Sequence, residues 1–382
     1  MSQEPIRPVS ARTHALMNKA SAGRIPISGT FELTPMCNFA CKMCYVRKTA
    51  AEVRAHDRPM VTYDQWMEIA RQARDEGLLY LLITGGEPFI WPDFWKLYEQ
   101  LIHMGFLISL NSNGSLIDEE AIRRLRELPP IRINITLYGA SDETYEALCG
   151  AKNVFSKVDR AITGLMEAGI QVKLNCSLTP HNAHDLEKIV SYAKSKNLIL
   201  QVSTYMFPPL RRDSSMVGIN ERFTPREMAY YQMRQFYLQQ GGEVYREYLR
   251  RIVEGDTVPL GLDESCVDPM DGKIRCRAGN ASFWITWDGW MTPCGMMTGP
   301  KAELIGRTFR EAWKDTVAAC DAMFLSSTCE KCPTRQMCHS CAAAAMAETG
   351  SVSQIPRYMC QMVQEMQKIA AEQLATGNYA GP

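Results

Sequence analysis

Between residues 27 and 206 the chain alternates short apolar runs with longer segments of helical periodicity. Six runs read as strands: ISGTFELTP (27–35), LLYLLIT (78–84), FLISLNSNG (106–114), IRINITLYG (131–139), IQVKLNCSL (170–178) and LILQVSTYM (198–206). Between them lie TYDQWMEIARQARDEG (62–77), WPDFWKLYEQLIHMG (91–105), DEEAIRRLRELP (118–129), VFSKVDRAITGLMEAG (154–169) and HDLEKIVSYAKSKN (184–197). Apolar residues three or four apart, such as Val158, Ile162, Leu165 and Met166, predict amphipathic helices there. Gly77 and Gly105 close two of these helices, and Asp118 suits the N-cap of a third. Apolar strands joined by helical crossovers predict a parallel sheet covered by helices. Periodicity does not decide between an open sheet and a barrel. In both, chemistry belongs past the C-terminal ends of the strands.

A polar turn, FPPLRRDSSMVGINERF (207–223), follows the sixth strand; the stretch YMFPPLRRDSS (205–215) that leads into it is a candidate lining of the substrate opening, while its arginines read as solvated. A helical stretch over 224–254, broken at Gly241–Gly242, reads as a bridge. From Cys266 onward cysteines crowd the chain, and AAAAMA (342–347) reads as a short helix. The expected organisation is a polar, flexible N-terminal extension (1–26), a β/α core (27–215), a helical bridge (216–260), and a cysteine-rich domain with a C-terminal helix (261–382).

The 382 residues carry 42 Lys plus Arg against 42 Asp plus Glu, which leaves no electrostatic footprint for nucleic acid or an acidic membrane. The N-terminus lacks the apolar segment of a signal peptide, and no apolar run is long enough to span a bilayer. A cytoplasmic protein is the expectation. In that compartment 14 cysteines read as metal ligands or catalytic thiols rather than disulfides.

Three of them, Cys37, Cys41 and Cys44, fall in CNFACKMC directly after the first strand. The spacing Cys-x3-Cys-x2-Cys suits three corners of a cubane iron–sulfur cluster. A zinc site would need a fourth protein ligand, for which His56 is available on paper, and three free buried thiols are the bland alternative. Three ligands on a cubane leave one iron open to a small molecule. TGGEPF (84–89) ends the second strand: Gly85 and Gly86 permit close backbone approach, Glu87 offers a carboxylate for a charge-assisted hydrogen bond, and Pro88 follows.

The cysteine triplet followed by Tyr45, with Gly-Gly-Glu-Pro one strand later, resembles the radical S-adenosylmethionine (radical SAM) enzymes. The resemblance implies a partial (β/α)6 TIM-like barrel, an α/β fold. It implies a [4Fe–4S] cluster whose open iron chelates S-adenosylmethionine, and reductive cleavage of that cofactor to a 5′-deoxyadenosyl radical. It gives Tyr45, Gly85, Gly86, Glu87 and Pro88 to the cofactor, with Glu87 holding the cofactor ammonium, and makes Asn113, Thr136 and Asn175 candidates for the ribose. The later cysteines resemble the SPASM extension of the same enzymes: Cys276, then Gly289 and Cys294, then Cys329, Cys332, Cys338 and Cys341, then Cys360. That extension implies two auxiliary [4Fe–4S] clusters, one on Cys266, Cys276, Cys294 and Cys341, the other on Cys329, Cys332, Cys338 and Cys360. The family pattern places one more residue before the cysteine matching Cys341, and Cys266 lies outside the strict motif. Zinc is the competing reading of these cysteines taken alone. Cys149, Cys176 and Cys320 fit no pattern and read as buried structural thiols.

Closed auxiliary clusters suit electron transfer, hence net oxidation. The resemblance therefore implies a maturase that crosslinks or oxidises a ribosomally made peptide, with a flavodoxin or ferredoxin as electron donor. The residues before the first strand are too few for the peptide-recognition domain that some maturases carry, so a separate leader-peptide recognition protein is a candidate partner. Sulfatase maturases, which make formylglycine, are similar in length and layout but carry an aspartate where this chain has Gly295. Radical modification of a small molecule is a further alternative, and a non-enzymatic zinc scaffold is the reading from another class.

Overall fold

The computed structural model describes residues 11–255, 273–274, 276–335, 337–338 and 340–379. Cys266 lies outside the described residues. Six parallel strands follow one another across the sheet in sequence order: β1 (Ser28–Glu32), β2 (Tyr80–Thr84), β3 (Leu107–Ser112), β4 (Arg132–Thr136), β5 (Val172–Ser177) and β6 (Leu200–Ser203). Sequential order without closure is the arrangement of a partial (β/α)6 barrel. The sheet does not stop at β1. On its other edge β7 (Ser282–Ile285) pairs with β1 in parallel, and β8 (Trp290–Thr292) and β9 (Ala302–Glu303) add antiparallel strands, nine in all among the described residues. The first strands of the cysteine-rich region thus extend the core sheet.

The strands alternate rather than bury both faces. Ile108, Leu110, Ile133, Ile135, Val172 and Leu174 are buried on one face. Asn111, Arg132, Thr136, Lys173 and Asn175 fall on the other. The apolar face packs under helices, for example where Phe31 stacks on Trp66 of the helix Tyr63–Asp75 at 4.7 Å between rings. The helix ends follow the chain's own signals. Asp118 caps Glu119–Glu127 by accepting from the Ala121 amide at 2.9 Å, and Gly77 and Gly105 take positive φ just past their helices.

Two segments carry more structure than the sequence reading described. The N-terminal extension contains a helix, Ala11–Ala22, whose Met17 and Ala20 pack with Ile27 and Ala281. Arg24 secures it from below, accepting from the Trp313 indole at 2.7 Å and pairing with Asp321. The bridge is a packed layer: Pro225–Gln240 and Gly242–Glu254, broken at Gly241 (φ 87°), lie against the C-terminal helix Arg357–Thr376. The buried Tyr245 hydroxyl donates to Gln373 there at 2.6 Å.

Candidate active site

The cysteine loop is held from two sides. On one, it continues the β1–β2 pairing: Leu33 N–H donates to Thr84 O (2.9 Å), Gly86 N–H to Thr34 O (2.7 Å) and Glu87 N–H to Met36 O (2.9 Å). A Cβ at Gly85 would stand 2.6 Å from Thr34 O, and one at Gly86 2.3 Å from Met36 O. These glycines therefore admit the backbone of the cysteine loop itself, and both also line the cleft beside it. On the other side stands the helix Asp142–Cys149, which the sequence reading missed. Its end accepts from Ala40 N–H at Cys149 O (2.7 Å) and from Lys42 N–H at Leu148 O (3.1 Å).

The cleft at the C-terminal ends of the strands measures about 430 Å³, the size of a small-molecule site. Cys37, Cys41 and Cys44 all line it, with Tyr45, Asn113 and Thr136. The sulfurs are solvated by amides: Phe39 N–H points at Cys37 Sγ and Arg47 N–H at Cys44 Sγ, each at 3.3 Å. Burial pushes the Cys37 thiol up to about 12 and raises Cys44 as well, with the neighbouring cysteines adding to both. The Cys149 thiol donates to Cys41 and holds that pKa down. Three soft donors, supplied with N–H groups and facing a cleft, fit an iron–sulfur cluster, whose positive charge offsets the repulsion that keeps such thiols protonated. His56 is elsewhere, against Trp287 and the backbone of Arg58.

Glu87 turns its side chain inward. Its carboxylate is fully buried and accepts from Asn113 N–H (2.8 Å), Ser112 Oγ (3.0 Å) and Phe89 N–H (3.4 Å). It ties the end of β2 to the end of β3 and does not line the cleft; neither does the buried Pro88. Burial raises the Glu87 carboxyl to about 7. Asn113 joins this brace to the cysteine loop, donating to Asn38 Oδ1 at 2.9 Å and toward Cys37 Sγ at 3.7 Å. Asn175 sits below the cleft, opposite Thr136 in register, and its Oδ1 is buried without a partner.

The sequence reading also missed a buried charge pair. Arg211, read as solvated, forks onto the carboxylate of Glu32 at 2.6 and 2.8 Å. Glu32 ends β1 and is 1% exposed. The same guanidinium donates to Gly295 O at 3.0 Å and faces the Tyr45 ring at 5.7 Å, while the Trp284 indole donates to Glu32 at 2.9 Å. One ion pair thus links β1, the turn after β6, β7 and the residue after Cys294. Opposite charges 179 positions apart leave no local signal.

The later cysteines fall into two neighbourhoods. Burial raises Cys294 to about 11, with Cys341 and Cys276 close enough to push it further. Cys338 is raised by burial and by Cys360 and Cys329, and Cys360 by burial and by Cys332. Among the described residues no three such groups are drawn in to the spacing of a single bound ion. Cys149, Cys176 and Cys320 are buried.

Residues 31–193 match the family described as the radical SAM superfamily. Among its relatives is the AdoMet-dependent heme synthase of Methanosarcina barkeri, 23% identical over 84% of this chain and 92% of the relative. The mycofactocin maturase MftC of Mycobacterium ulcerans is 30% identical over 47% of each chain. Native anSMEcpe with bound AdoMet has the same fold, with a TM-score of 0.68 at 19% identity over 92% of this chain and 99% of that one. A second solved structure of that protein has bound AdoMet and Cp18Cys peptide.

Proposed function

We propose that the protein is a radical SAM enzyme that oxidatively modifies a ribosomally made peptide, by a crosslink, a thioether or an oxidised side chain. The observation that carries the radical reading is the convergence of Cys37, Cys41 and Cys44 on a cleft of about 430 Å³ also lined by Gly85, Gly86, Asn113 and Thr136. When bound, a [4Fe–4S] cluster with S-adenosylmethionine supplies a hydrogen-abstracting radical, and two auxiliary [4Fe–4S] clusters accept the second electron of a net oxidation. The chain's own part is placement. Cys37, Cys41 and Cys44 hold the first cluster, the Glu87–Asn113 brace fixes the strand ends, and Thr136 and Asn113 offer polar contacts to a ribose. The SPASM reading gives Cys276, Cys294 and Cys341, with Cys266, to one auxiliary cluster and Cys329, Cys332, Cys338 and Cys360 to the other. A flavodoxin or ferredoxin donates electrons, a separate protein recognises the peptide leader, and the enzyme works in the cytoplasm.

The peptide substrate is supported by the maturase relative and by the peptide-bound anSMEcpe structure. Formylglycine formation is disfavoured by geometry: a Cβ at Gly295 would meet the Trp284 ring at 2.7 Å, so no aspartate fits there. One observation favours a second reading, modification of a small molecule: the heme synthase relative aligns over nearly its whole length. Among the described residues no helix is long and apolar enough to cross a membrane.

The test is iron, sulfide and 5′-deoxyadenosine on anaerobically reconstituted protein. About twelve irons per chain with 5′-deoxyadenosine release is the expected result. Mass spectrometry with peptides encoded beside the gene then shows a loss of hydrogens from the peptide. Zinc in place of iron, without 5′-deoxyadenosine, overturns the proposal.

A further inference from the structure

The polar face of the sheet continues below the cleft, and its composition is unusual there. Strand alternation puts Arg132, Asn134 and Thr136 of β4 on that face, with Lys173 and Asn175 of β5. The register seats Asn134 beside Lys173 and Thr136 beside Asn175, so the patch is contiguous. Thr136 lines the cleft, and Arg132 lies four residues down the same strand, roughly 13 Å at the usual rise. That span equals three or four residues of extended peptide.

Two cations share the patch without a counter-ion. Among the described residues neither Arg132 nor Lys173 is within ion-pair distance of a carboxylate; the Lys173 ammonium donates only to the neutral Gln201 side chain. Each is more than half shielded from water, and burial lowers the pKa of both, with Arg132 adding to the effect on Lys173. Three further atoms are buried without any hydrogen-bond partner: Arg132 Nε, Asn134 Oδ1 and Asn175 Oδ1. Buried polar atoms are almost always satisfied, so a donor and two acceptors left open in one patch describe the group that is missing. It brings negative charge to Arg132 and Lys173 and N–H donors to Asn134 and Asn175.

We propose that Arg132, Lys173, Asn134 and Asn175 form a subsite for a carboxylate carried beside an amide N–H, that is, the carboxylate end of a peptide substrate. The guanidinium and ammonium take the carboxylate, and the two asparagine carbonyls take the adjoining peptide N–H groups. The subsite deepens the peptide reading above and rests on it. It also separates that reading from a free anion, which would satisfy the cations and leave both asparagine oxygens open.

The experiment is a calorimetric or ligand-detected NMR titration of the full protein with N-acetyl-dialanine, its C-terminal amide, and inorganic phosphate. The free acid is expected to bind saturably and at least tenfold more tightly than the amide or phosphate. R132M and K173M should each weaken the acid at least tenfold, while K173R restores it; melting curves check that each variant is folded, and K173M carries the test if R132M is not. Equal binding of acid and amide, unchanged binding in both methionine variants, or phosphate binding as tightly as the acid overturns the subsite. Because the titration involves no radical chemistry, 5′-deoxyadenosine release is scored separately. A protein that binds the acid but never releases 5′-deoxyadenosine fails the radical reading and keeps the subsite, and the reverse result does the opposite.

Discussion

The cysteine loop at 37–44 and the cysteines from 276 to 360 use the same side chain in different ways. The loop is set by the fold. Its backbone is bonded to the exit of β2 and to the end of the helix Asp142–Cys149, and Cys41 is buried. Most of the later cysteines ride on short elements, a four-residue helix, Ser327–Glu330, and turns, with Cys276 exposed; Cys360 sits on the long helix Arg357–Thr376. The difference teaches that the first three cysteines are preorganised by the fold, whereas the segment around Cys329–Cys338 has less secondary structure to order it and, if it binds a cluster as proposed, would draw more of its shape from the metal.

The sharpest way to break this contrast is to remove ligands one at a time. Alanine at Cys37, Cys41 or Cys44 should abolish 5′-deoxyadenosine release. Alanine at Cys332 or Cys360 should lower the iron content while release continues, and a set of variants that all lose release equally would erase the distinction. Chelation of iron comes next. Hydrogen exchange should strip protection from residues 329–338 and leave the Ala40, Gly86 and Glu87 amides slow.

Arg211→Met tests the link between the two regions. It strands a buried Glu32 carboxylate, so denaturant unfolding should show a loss of about 3–5 kcal/mol, with part recovered in the E32Q/R211M double variant. Glu87 supplies a pH signature of the loop side. Its folded pKa of about 7 lies above the ordinary 4.5, so the native state keeps a proton that the unfolded chain gives up. The stability this contributes is complete below pH 4.5 and is lost as pH rises through 7, a span on the order of 3 kcal/mol in metal-free protein that E87Q should flatten. The smallest effect is Gly295→Ala, whose Cβ presses on Trp284; about 1–3 kcal/mol of destabilisation is expected, read by thermal melting.

Much of this was legible before any coordinates. The six strands and the two glycine-closed helices follow from periodicity and caps, and the cysteine triplet falls where strand order puts it, past β1. The misses have physical causes. NSN and INIT alternate polar with apolar, but flanking leucines and isoleucines make the runs look buried on both faces. Residues 142–149 form a two-turn helix too short to display a full apolar period. The helix at Ala11–Ala22 buries only Met17 and Ala20 among its described side chains, so it shows no stripe. Glu87 sits in a motif that points to a ligand, yet the backbone at the strand end turns its carboxylate inward onto Ser112 and Asn113, and no one-dimensional pattern records that rotation.

The parallel pairing of β7 with β1 has a consequence for electron tunnelling, whose rate falls steeply with distance. Cys37 lies five residues beyond the end of β1 and Cys294 two beyond the end of β8, which folds back beside β7. The strands β1, β7 and β8 are successive rungs of one sheet, each about 4.8 Å from the next. Any gap between redox centres built on them is then fixed by a hydrogen-bonded lattice rather than by a hinge between lobes. Cutting the chain after the bridge would strip β7 from β1 and leave a raw sheet edge beside the cysteine loop, so the two halves are predicted to be inseparable as working parts.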